Sequence, residues 1–404
     1  MTTPPRRSLP VLFLVVLVSV AGTALVTPLL PFYAVAFGVD GVLLGLPLAA
    51  YPLMQFVFSP LWGRLSDRIG RRPVILISLA GTGVGFLLLG LADSFWLLLF
   101  ARLVGGAFGA NVATAQAYVA DLVGPNGRTR ALGILGAAFG LGFILGPASA
   151  AVLVQFALSA PAFFGAALSL ANLVAAARLL PESRPRPASA SRPRDSLLAP
   201  LRQRPVALAI LVFGVSSLGS ALYQAVFPLY ARATVGFGPS ETGVIFALVG
   251  GVAVFSQGVL VGRLSRRFTE HALLRGGLLL LALAAAHVPI ATALAGGLGV
   301  VLGMLLLTVA ESITAPAATA FLALGARSTE QGTVLGLGQS VGALTRVIGP
   351  LAGAQLLASL GPFSLFLGCA VLFALSFLVA LATPRPHPPA DHPAFADREV
   401  PAVS

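Results

Sequence analysis

The sequence predicts an all-α membrane protein in which twelve transmembrane helices form two pseudo-symmetric six-helix bundles. Three observations support this prediction. The chain is 57% hydrophobic and only 9% charged over 404 residues, whereas about a quarter of the residues in soluble domains are charged. Apolar runs of about 20 residues, long enough to cross a bilayer, recur along the whole chain. The second half of the sequence also repeats features of the first half.

The predicted spans are separated by charged residues and turn residues. They lie at 10–36, 42–62, 73–92, 95–119, 130–155, 160–180, 205–231, 241–262, 273–294, 297–323, 333–358 and 362–383. The first six form a predicted bundle over 1–180 and the last six form another over 205–383. The segment 181–204 is rich in Pro, Ser and Arg, which predicts a flexible cytoplasmic linker. The tail 384–404 is rich in Pro and poor in aliphatic residues, which predicts a disordered cytoplasmic tail.

The distribution of arginine predicts the orientation of the chain. All 25 basic residues are Arg; with the N-terminus in the cytoplasm, 22 of them lie in cytoplasmic segments and the outer loops hold only Arg232. Basic residues concentrate on the cytoplasmic side of membrane proteins, so we expect an inner (plasma) membrane protein with two cytoplasmic termini. Orientation therefore explains the net charge of +12, and nucleic acid is not needed as a partner. The single cysteine, Cys369, lies in an apolar run, so no disulfide is expected within the monomer.

The two halves of the sequence repeat each other. Gly146 and Pro147 align with Gly349 and Pro350 at an offset of 203 residues, and the surrounding apolar and small residues align with them. The segment 63–68 has a weaker counterpart in 262–267. Two parallel six-helix repeats are a transporter design that places the substrate near the middle of the membrane, where the halves meet.

Several motifs resemble those of the major facilitator superfamily. The basic segment 63–73, between the second and third predicted spans, resembles its signature loop, and the segment 142–147 resembles the glycine–proline motif of its drug:proton antiporters. The segments 28–31, 50–55 and 118–121 are similar to those of the tetracycline-resistance-like branch. The resemblance implies the major facilitator fold, alternating access, and efflux coupled to inward proton flow.

The resemblance also implies a conformational latch at the cytoplasmic face. Its residues are Gly63, Asp67, Arg68, Gly70, Arg71 and Arg72 in the loop, with Asp121 and Arg128 on the same face. In the superfamily this loop lies beside the cytoplasmic start of the eleventh helix, where the helix dipole favours a carboxylate by about 0.3–1 kcal/mol. We expect Asp67 to hold the halves together while the cavity faces outward. The alternative is a basic loop that only sets the topology.

The fifth span carries the motif that resembles the antiporters. Pro147 removes one backbone hydrogen bond and bends the helix, while Gly142 and Gly146 allow close packing on one face. The family pattern continues with a paired glycine, and this chain has Ala148 and Ser149 there. The motif predicts antiport, and a kinked packing helix is the alternative.

Three charged residues lie deep within predicted spans, away from the span ends, where a charge costs about 2.5–3.5 kcal/mol on insertion and usually faces the protein interior. Glu311 lies in the tenth span and Arg346 at similar depth in the eleventh. We expect Glu311 to carry the coupling proton or contact a cationic substrate, with Arg346 as its counter-charge; a static salt bridge is the alternative. Arg102 belongs to a stretch similar to a family motif for proton transfer or gating. Its alternative is a structural arginine bonded to backbone carbonyls.

Polar and aromatic residues within the spans are the candidates for a substrate cavity. They are Tyr51, Gln55, Asn111, Gln116, Tyr223, Gln224, Gln257 and Gln339. A mostly apolar pocket with scattered polar groups suits amphipathic ligands. The alternative for each side chain is a hydrogen bond between helices.

These observations predict a secondary active transporter that exports small amphipathic compounds in exchange for protons. We expect a monomer in contact with lipid that binds a small molecule and protons, without a cofactor or metal. Tetracycline exporters of the resembling branch have an acidic residue in the first span, and this first span has none, so the substrate stays open. A proton-coupled sugar or metabolite carrier is the rival among transporters. A membrane scaffold or receptor is the rival outside transport, and the sequence contains no enzyme motif.

Overall fold

The computed structural model of the protein describes residues 8–122, 125–182, 199–324 and 331–383. These residues are almost entirely helical and contain no β-strand. The helices of the first half are Ser8–Val26 and Leu30–Ala36 (first span), Leu46–Ile69 (second), Arg71–Gly90 (third), Phe95–Ala107 and Asn111–Leu122 (fourth), Pro125–Leu153 (fifth) and Ala160–Leu179 (sixth). Two 3₁₀ turns, Thr27–Leu29 and Gly41–Gly45, adjoin the first and second spans.

The second half follows the same plan. Its helices are Arg204–Val235 (seventh span), Pro239–Phe255 continued by the π-helical turn Ser256–Val261 and by Gly262–Leu264 (eighth), Glu270–Leu324 (ninth and tenth), Gln331–Leu360 (eleventh) and Pro362–Ala382 (twelfth). A 3₁₀ turn, Ala199–Arg202, precedes the seventh span.

The helix Glu270–Leu324 comprises two membrane spans. Its membrane-spanning stretch is 54 residues long, or about 80 Å at 1.5 Å per residue, which is more than twice the thickness of the hydrocarbon core. Gly296 interrupts it with φ 54° and ψ −128°, a backbone conformation that a helix cannot contain. The chain folds back there, because Gly299 packs on Ala291 and Gly303 packs on Val288. The described residues therefore contain twelve spans, as predicted.

Two predicted boundaries are wrong. The basic segment is not a loop, since the second span continues as a helix to Ile69 and the third begins at Arg71. Gly70 alone reverses the chain, with φ 100° and ψ 161°, a conformation that a residue with a Cβ rarely adopts. The fourth span is also not continuous: it ends at Ala107 and resumes at Asn111.

Glycines allow close contact between an equivalent pair of spans within each half. A Cβ added at Gly146 in the fifth span would lie 2.5 Å from the carbonyl oxygen of Ala21 in the first span. A Cβ added at Gly349 in the eleventh span would lie 2.6 Å from the Cβ of Ala221 in the seventh. Gly146 and Gly349 are the pair aligned by the sequence repeat, so the repeat in sequence is also a repeat in packing.

The hydrophobic core differs between the two ends of the molecule. We call the end that carries Arg64, Arg68, Arg71 and Arg72 the arginine-rich end, and the other the closed end. At the closed end one cluster joins both halves, from Leu25 and Leu48 to Tyr230 and Phe366. At the arginine-rich end the core is split into two clusters, one within the first half and one within the second. The halves are therefore packed together at one end only.

The proposed division of the chain into 1–180, 181–204, 205–383 and 384–404 stays a prediction. The two separate clusters at the arginine-rich end run from Leu12 to Leu180 and from Val206 to Ala380, and neither crosses the predicted linker. Most of the linker and the whole of the predicted tail lie outside the described residues.

Candidate functional site

A cavity opens toward the arginine-rich end between the two halves. It has a volume of about 690 Å³ and takes its walls from the first, fourth, fifth and eighth spans. The lining residues are Val16, Val112, Ala113, Gln116, Ala117, Leu135, Gly136, Phe139 and Gln257. The two predicted cavity residues among them, Gln116 and Gln257, are contributed by opposite halves. The rest of the lining is apolar apart from backbone, which is the composition expected of a site for amphipathic molecules.

Gln257 lies in a π-helical turn, Ser256–Val261, that the sequence did not reveal. Such turns are rare and often mark functional sites, because the extra residue bulges the backbone and re-aims nearby side chains. Ser256 is buried while Gln257 is exposed in the cavity. Gly258 within the turn and Gly262 directly after it are the one local signal for this irregularity.

The cavity is shut at the closed end by contacts between the halves. A Cβ added at Gly45, in the 3₁₀ turn that precedes the second span, would lie 2.6 Å from the carbonyl oxygen of Pro350 in the eleventh. The Ser240 hydroxyl of the eighth span donates a 2.9 Å hydrogen bond to the Ala151 carbonyl of the fifth. These backbone-level contacts leave no passage for a drug-sized molecule between the paired spans.

Glu311 is held by the seventh span. The Ser220 hydroxyl donates a 2.7 Å hydrogen bond to Oε2 of Glu311, and the Tyr223 hydroxyl donates a longer one of 3.4 Å. Tyr223 is buried and packs against Phe366, whose ring centroid lies 6.1 Å away. Tyr223, predicted as a cavity residue, is thus a partner of the carboxylate.

The expected pairing of Glu311 with Arg346 is wrong for this conformation. Among the described residues, the only ion pairs within 4.0 Å involve Arg71. A static salt bridge between Glu311 and Arg346, the alternative to proton coupling, is therefore also absent among the described residues. The physical reason is helix rotation: the tenth span turns Glu311 toward the seventh span, and Arg346 lies on an exposed face of the eleventh.

Arg102 has the surroundings expected of a structural arginine bonded to backbone carbonyls, which was the alternative to a role in proton transfer or gating. It is only 6% exposed, and its Nε donates a 3.3 Å hydrogen bond to the carbonyl of Pro47. Its guanidinium also lies 4.6 Å from the centroid of the Tyr51 ring, a cation–π distance. Tyr51 thereby bonds the second span to the fourth and is occupied by a protein partner.

The break in the fourth span explains a further predicted cavity residue. At the break, Trp62 donates a 2.6 Å hydrogen bond to the carbonyl of Ala107, and Gln55 donates a 2.8 Å hydrogen bond to the carbonyl of Gly109. Gln55 is therefore a helix-to-helix contact. The side chain of Asn111, at the restart of the helix, lies outside the described part of the structure. Gln224 and Gln339 are exposed within their spans.

The latch residues form a network within the first half. The Arg71 guanidinium pairs with Asp67 at 2.7 Å and with Asp121 at 3.0 Å, and it also donates to Ser66. The Arg72 side chain donates to the carbonyl of Ala177. Asp67, at the end of the second span, is more than half exposed and pairs with Arg71 at the start of the third span. Among the described residues, the expected position beside the eleventh span is not observed. This agrees with the separation of the halves at the arginine-rich end.

Other latch residues have simpler surroundings. Gly63 would meet no atom within 4 Å if it carried a Cβ, and Arg68 is exposed. Gly70 lies against Glu182, whose carboxylate also accepts a hydrogen bond from the Arg72 backbone N–H at 3.3 Å. Glu182 is a member of the network that sequence reasoning missed. The side chain of Arg128 lies outside the described residues.

The glycine–proline motif contacts the first span. A Cβ added at Gly142 would lie 2.9 Å from Val20, and Gly146 has the still closer contact with Ala21 described above. Pro147 lies within the continuous helix Pro125–Leu153. The motif is therefore a close packing surface between the first and fifth spans.

Comparisons with known proteins agree with this architecture. The sequence profile of the Major Facilitator Superfamily matches residues 12–350. The chain is 31% identical to the class D tetracycline resistance protein of Salmonella ordonez over 310 residues, covering 76% of this chain and 78% of that protein. It is 29% identical to multidrug resistance protein 2 of Bacillus subtilis over 346 residues, covering 84% of this chain and 86% of that protein.

Solved structures share the fold. The human organic anion transporter MFSD10 (TETRAN) is 29% identical, with a TM-score of 0.67 over 94% of this chain and 100% of that one. A bacterial homologue of the human lysosomal transporter Spinster, in an inward-facing and occupied conformation, has a TM-score of 0.77 over 99% of this chain and 100% of that one. At 16% identity the latter likeness concerns the fold alone.

Proposed function

This chain belongs to the Major Facilitator Superfamily, and we propose that it exports small amphipathic organic compounds by alternating access, driven by protons that move inward. The observation that carries the proposal is the cavity of about 690 Å³, lined by the first half and by Gln257 of the second, in a molecule whose halves share a hydrophobic core at the closed end only. A site that opens to one side at a time is what alternating access requires. Both walls come from one chain, which supports a working monomer embedded in lipid.

The direction of the cavity follows from the charge distribution. The arginine-rich end is the cytoplasmic end by the positive-inside rule, so both termini are cytoplasmic and this conformation faces inward. The protein would then collect its substrate from the cytoplasm or the inner leaflet in this state. The lining, two amides among apolar side chains, supports an amphipathic compound over a sugar, which would need more hydrogen-bonding groups.

Drug efflux is supported by the relatives, which are tetracycline and multidrug resistance proteins, and the human structural relative is an organic anion transporter. Glu311 is the proposed coupling group. Its hydrogen bonds from Ser220 and Tyr223 tie the tenth span to the seventh while the carboxylate is charged, so protonation would weaken that tie. A proton gained from outside and lost inside can thereby drive the change between the two conformations.

The test uses efflux-deficient cells and membrane vesicles. The parent protein is expected to reduce susceptibility to a panel of amphipathic drugs and to drive their export when a proton gradient is imposed. Glu311→Gln, which keeps the shape and one hydrogen-bond acceptor, should lose most gradient-driven export and remain folded. Glu270→Gln, an exposed carboxylate at the start of the ninth span, is the matched control. Full export by Glu311→Gln would rule out the coupling role, and a parent protein without any drug flux would rule out the function.

A further inference from the structure

Arg346 is a charged side chain in the middle of a membrane span for which the described residues supply no counter-ion. It lies in the middle of the eleventh span, Gln331–Leu360, and is exposed. No carboxylate among the described residues lies within 4.0 Å of it. A charge at this depth is costly on insertion and marks a functional site by default. Its natural partner is therefore a molecule that the cavity binds.

The faces of the eleventh span show where Arg346 points. Gly349 and Gly353 pack on the seventh span, and Pro350 meets Gly45 in the turn that precedes the second span. Arg346 lies one helical turn from Pro350, toward the arginine-rich end, on the sector between these two neighbours. The lipid-facing sector is instead apolar, with Leu344 54% and Ile348 43% exposed. Arg346 thus lies on the sector that borders the space between the halves.

The internal repeat supports the same placement independently. At the offset of 203 residues, Gln339 corresponds to Gly136, which lines the cavity. Arg346 corresponds to Phe143, which is 47% exposed and packs against the cavity residue Phe139 with ring centroids 5.1 Å apart. The eleventh span should therefore present Gln339 and Arg346 to the central space as the fifth presents Gly136 and Phe143.

The other charges within the spans are already engaged. Glu311 accepts hydrogen bonds from Ser220 and Tyr223, and Arg102 is buried against Tyr51 in the first half. The lining of the cavity contributes no carboxylate. An arginine in such surroundings pairs most strongly with a planar anion, because its guanidinium fork matches a carboxylate or sulfonate with two parallel hydrogen bonds.

We propose that Arg346 binds the anionic group of the transported compound, so that the preferred substrates are amphipathic organic acids such as aryl or alkyl carboxylates and sulfonates. This rests on the proposed function for the place of the cavity in transport. The apolar wall around Phe139 takes the hydrophobic body of the ligand, and Gln116, Gln257 and Gln339 supply hydrogen bonds to its polar edge.

The test is equilibrium binding to the full-length protein, purified in a nonionic detergent. Two matched pairs of probes are used: naphthalene carboxylate with naphthalene carboxamide, and octanoate with octanamide. Each pair differs in charge and hardly in size. The parent protein should bind the carboxylates at least about tenfold more tightly than the amides, as expected for a charge-assisted hydrogen bond in a partly dry site. Arg346→Gln should remove that preference and leave amide binding unchanged, which also shows that the variant is folded.

Two further variants complete the design. Arg346→Lys keeps the charge but not the fork, so it should retain part of the preference. Arg232→Gln removes an exposed arginine at the closed end, outside the cavity, and should behave as the parent. Equal binding of acids and amides by the parent, or a preference that survives Arg346→Gln, would overturn the proposal. Binding that follows the prediction without any proton-driven flux would leave the anion site standing and refute the transport function.

Discussion

Replacing Gly146 by alanine tests whether close contact between the first and fifth spans stabilises the fold. The new Cβ would lie 2.5 Å from the carbonyl oxygen of Ala21, 2.8 Å from the backbone nitrogen of Leu25 and 3.0 Å from the Cβ of Ala24. Two of these three atoms belong to backbone inside a continuous helix. They cannot rotate away, so the two spans must separate by several tenths of an ångström.

The size of the effect follows from two opposing terms. Overpacking of this kind costs about 1–3 kcal/mol, and alanine regains up to about 1 kcal/mol over glycine in helix propensity. The net expectation is a loss of about 1–2 kcal/mol. Because the first and fifth spans must separate along their length, the contacts of Gly142 with Val20, one helical turn away, also weaken.

The assay is thermal unfolding of the detergent-solubilised protein, followed by size-exclusion chromatography after heating. Gly146→Ala should lower the midpoint by a few degrees. Gly133→Ala is the matched control, since it lies in the same helix and an added Cβ there meets no atom within 4 Å. That variant should keep or slightly raise the midpoint.

The repeat provides a second arm of the experiment. Gly349 occupies the equivalent position, and its added Cβ would lie 2.6 Å from Ala221 and 3.0 Å from the backbone nitrogen of Leu222. Gly349→Ala should therefore lose a similar amount of stability. A midpoint for Gly146→Ala at or above that of Gly133→Ala would refute the reasoning, because it would mean that the spans accommodate the methyl group without separating.

Two further predictions concern the two ends of the molecule. Arg71→Ala removes the pairs with Asp67 and Asp121. Exposed or partly exposed ion pairs contribute only about 0–1 kcal/mol each, so the protein should stay folded while drug export in vesicles slows several-fold. Export equal to that of the exposed control Arg64→Ala would argue against a latch. At the closed end, the double variant Ser240→Cys and Ala151→Cys should form a disulfide that stops export until a reductant is added, because those residues touch only while this end is shut. Export that continues in the oxidised double variant, with the single variants as controls, would mean that this end need not open.

The membrane topology could be predicted because its causes are local. Whether a segment enters lipid depends on its own hydrophobicity and length, and the split between the ninth and tenth spans is marked by Gly296 itself. The alignment of Gly146 with Gly349 is likewise visible in the sequence, and in the structure both glycines meet the neighbouring helix of their own half. The sequence could also single out Gln116 and Gln257, whose polar side chains stand out within apolar runs and line the cavity.

The partners of the intramembrane charges could not be predicted in this way. Sequence spacing places Glu311 and Arg346 at the same depth, but it does not tell how far each helix is rotated about its axis. That rotation depends on which small residues meet across the interface, and it directs Glu311 to Ser220 of the seventh span. For the same reason Gln55 caps the broken fourth span, a break that periodicity alone does not reveal.

The sequence by itself determined how many times this chain crosses the membrane, because burial in lipid is set segment by segment. Only the tertiary structure decided which end is shut. The single core at the closed end and the divided core at the arginine-rich end arise from contacts between residues hundreds of positions apart. Such contacts depend on the relative placement of whole helices, and no local pattern in the chain encodes that placement.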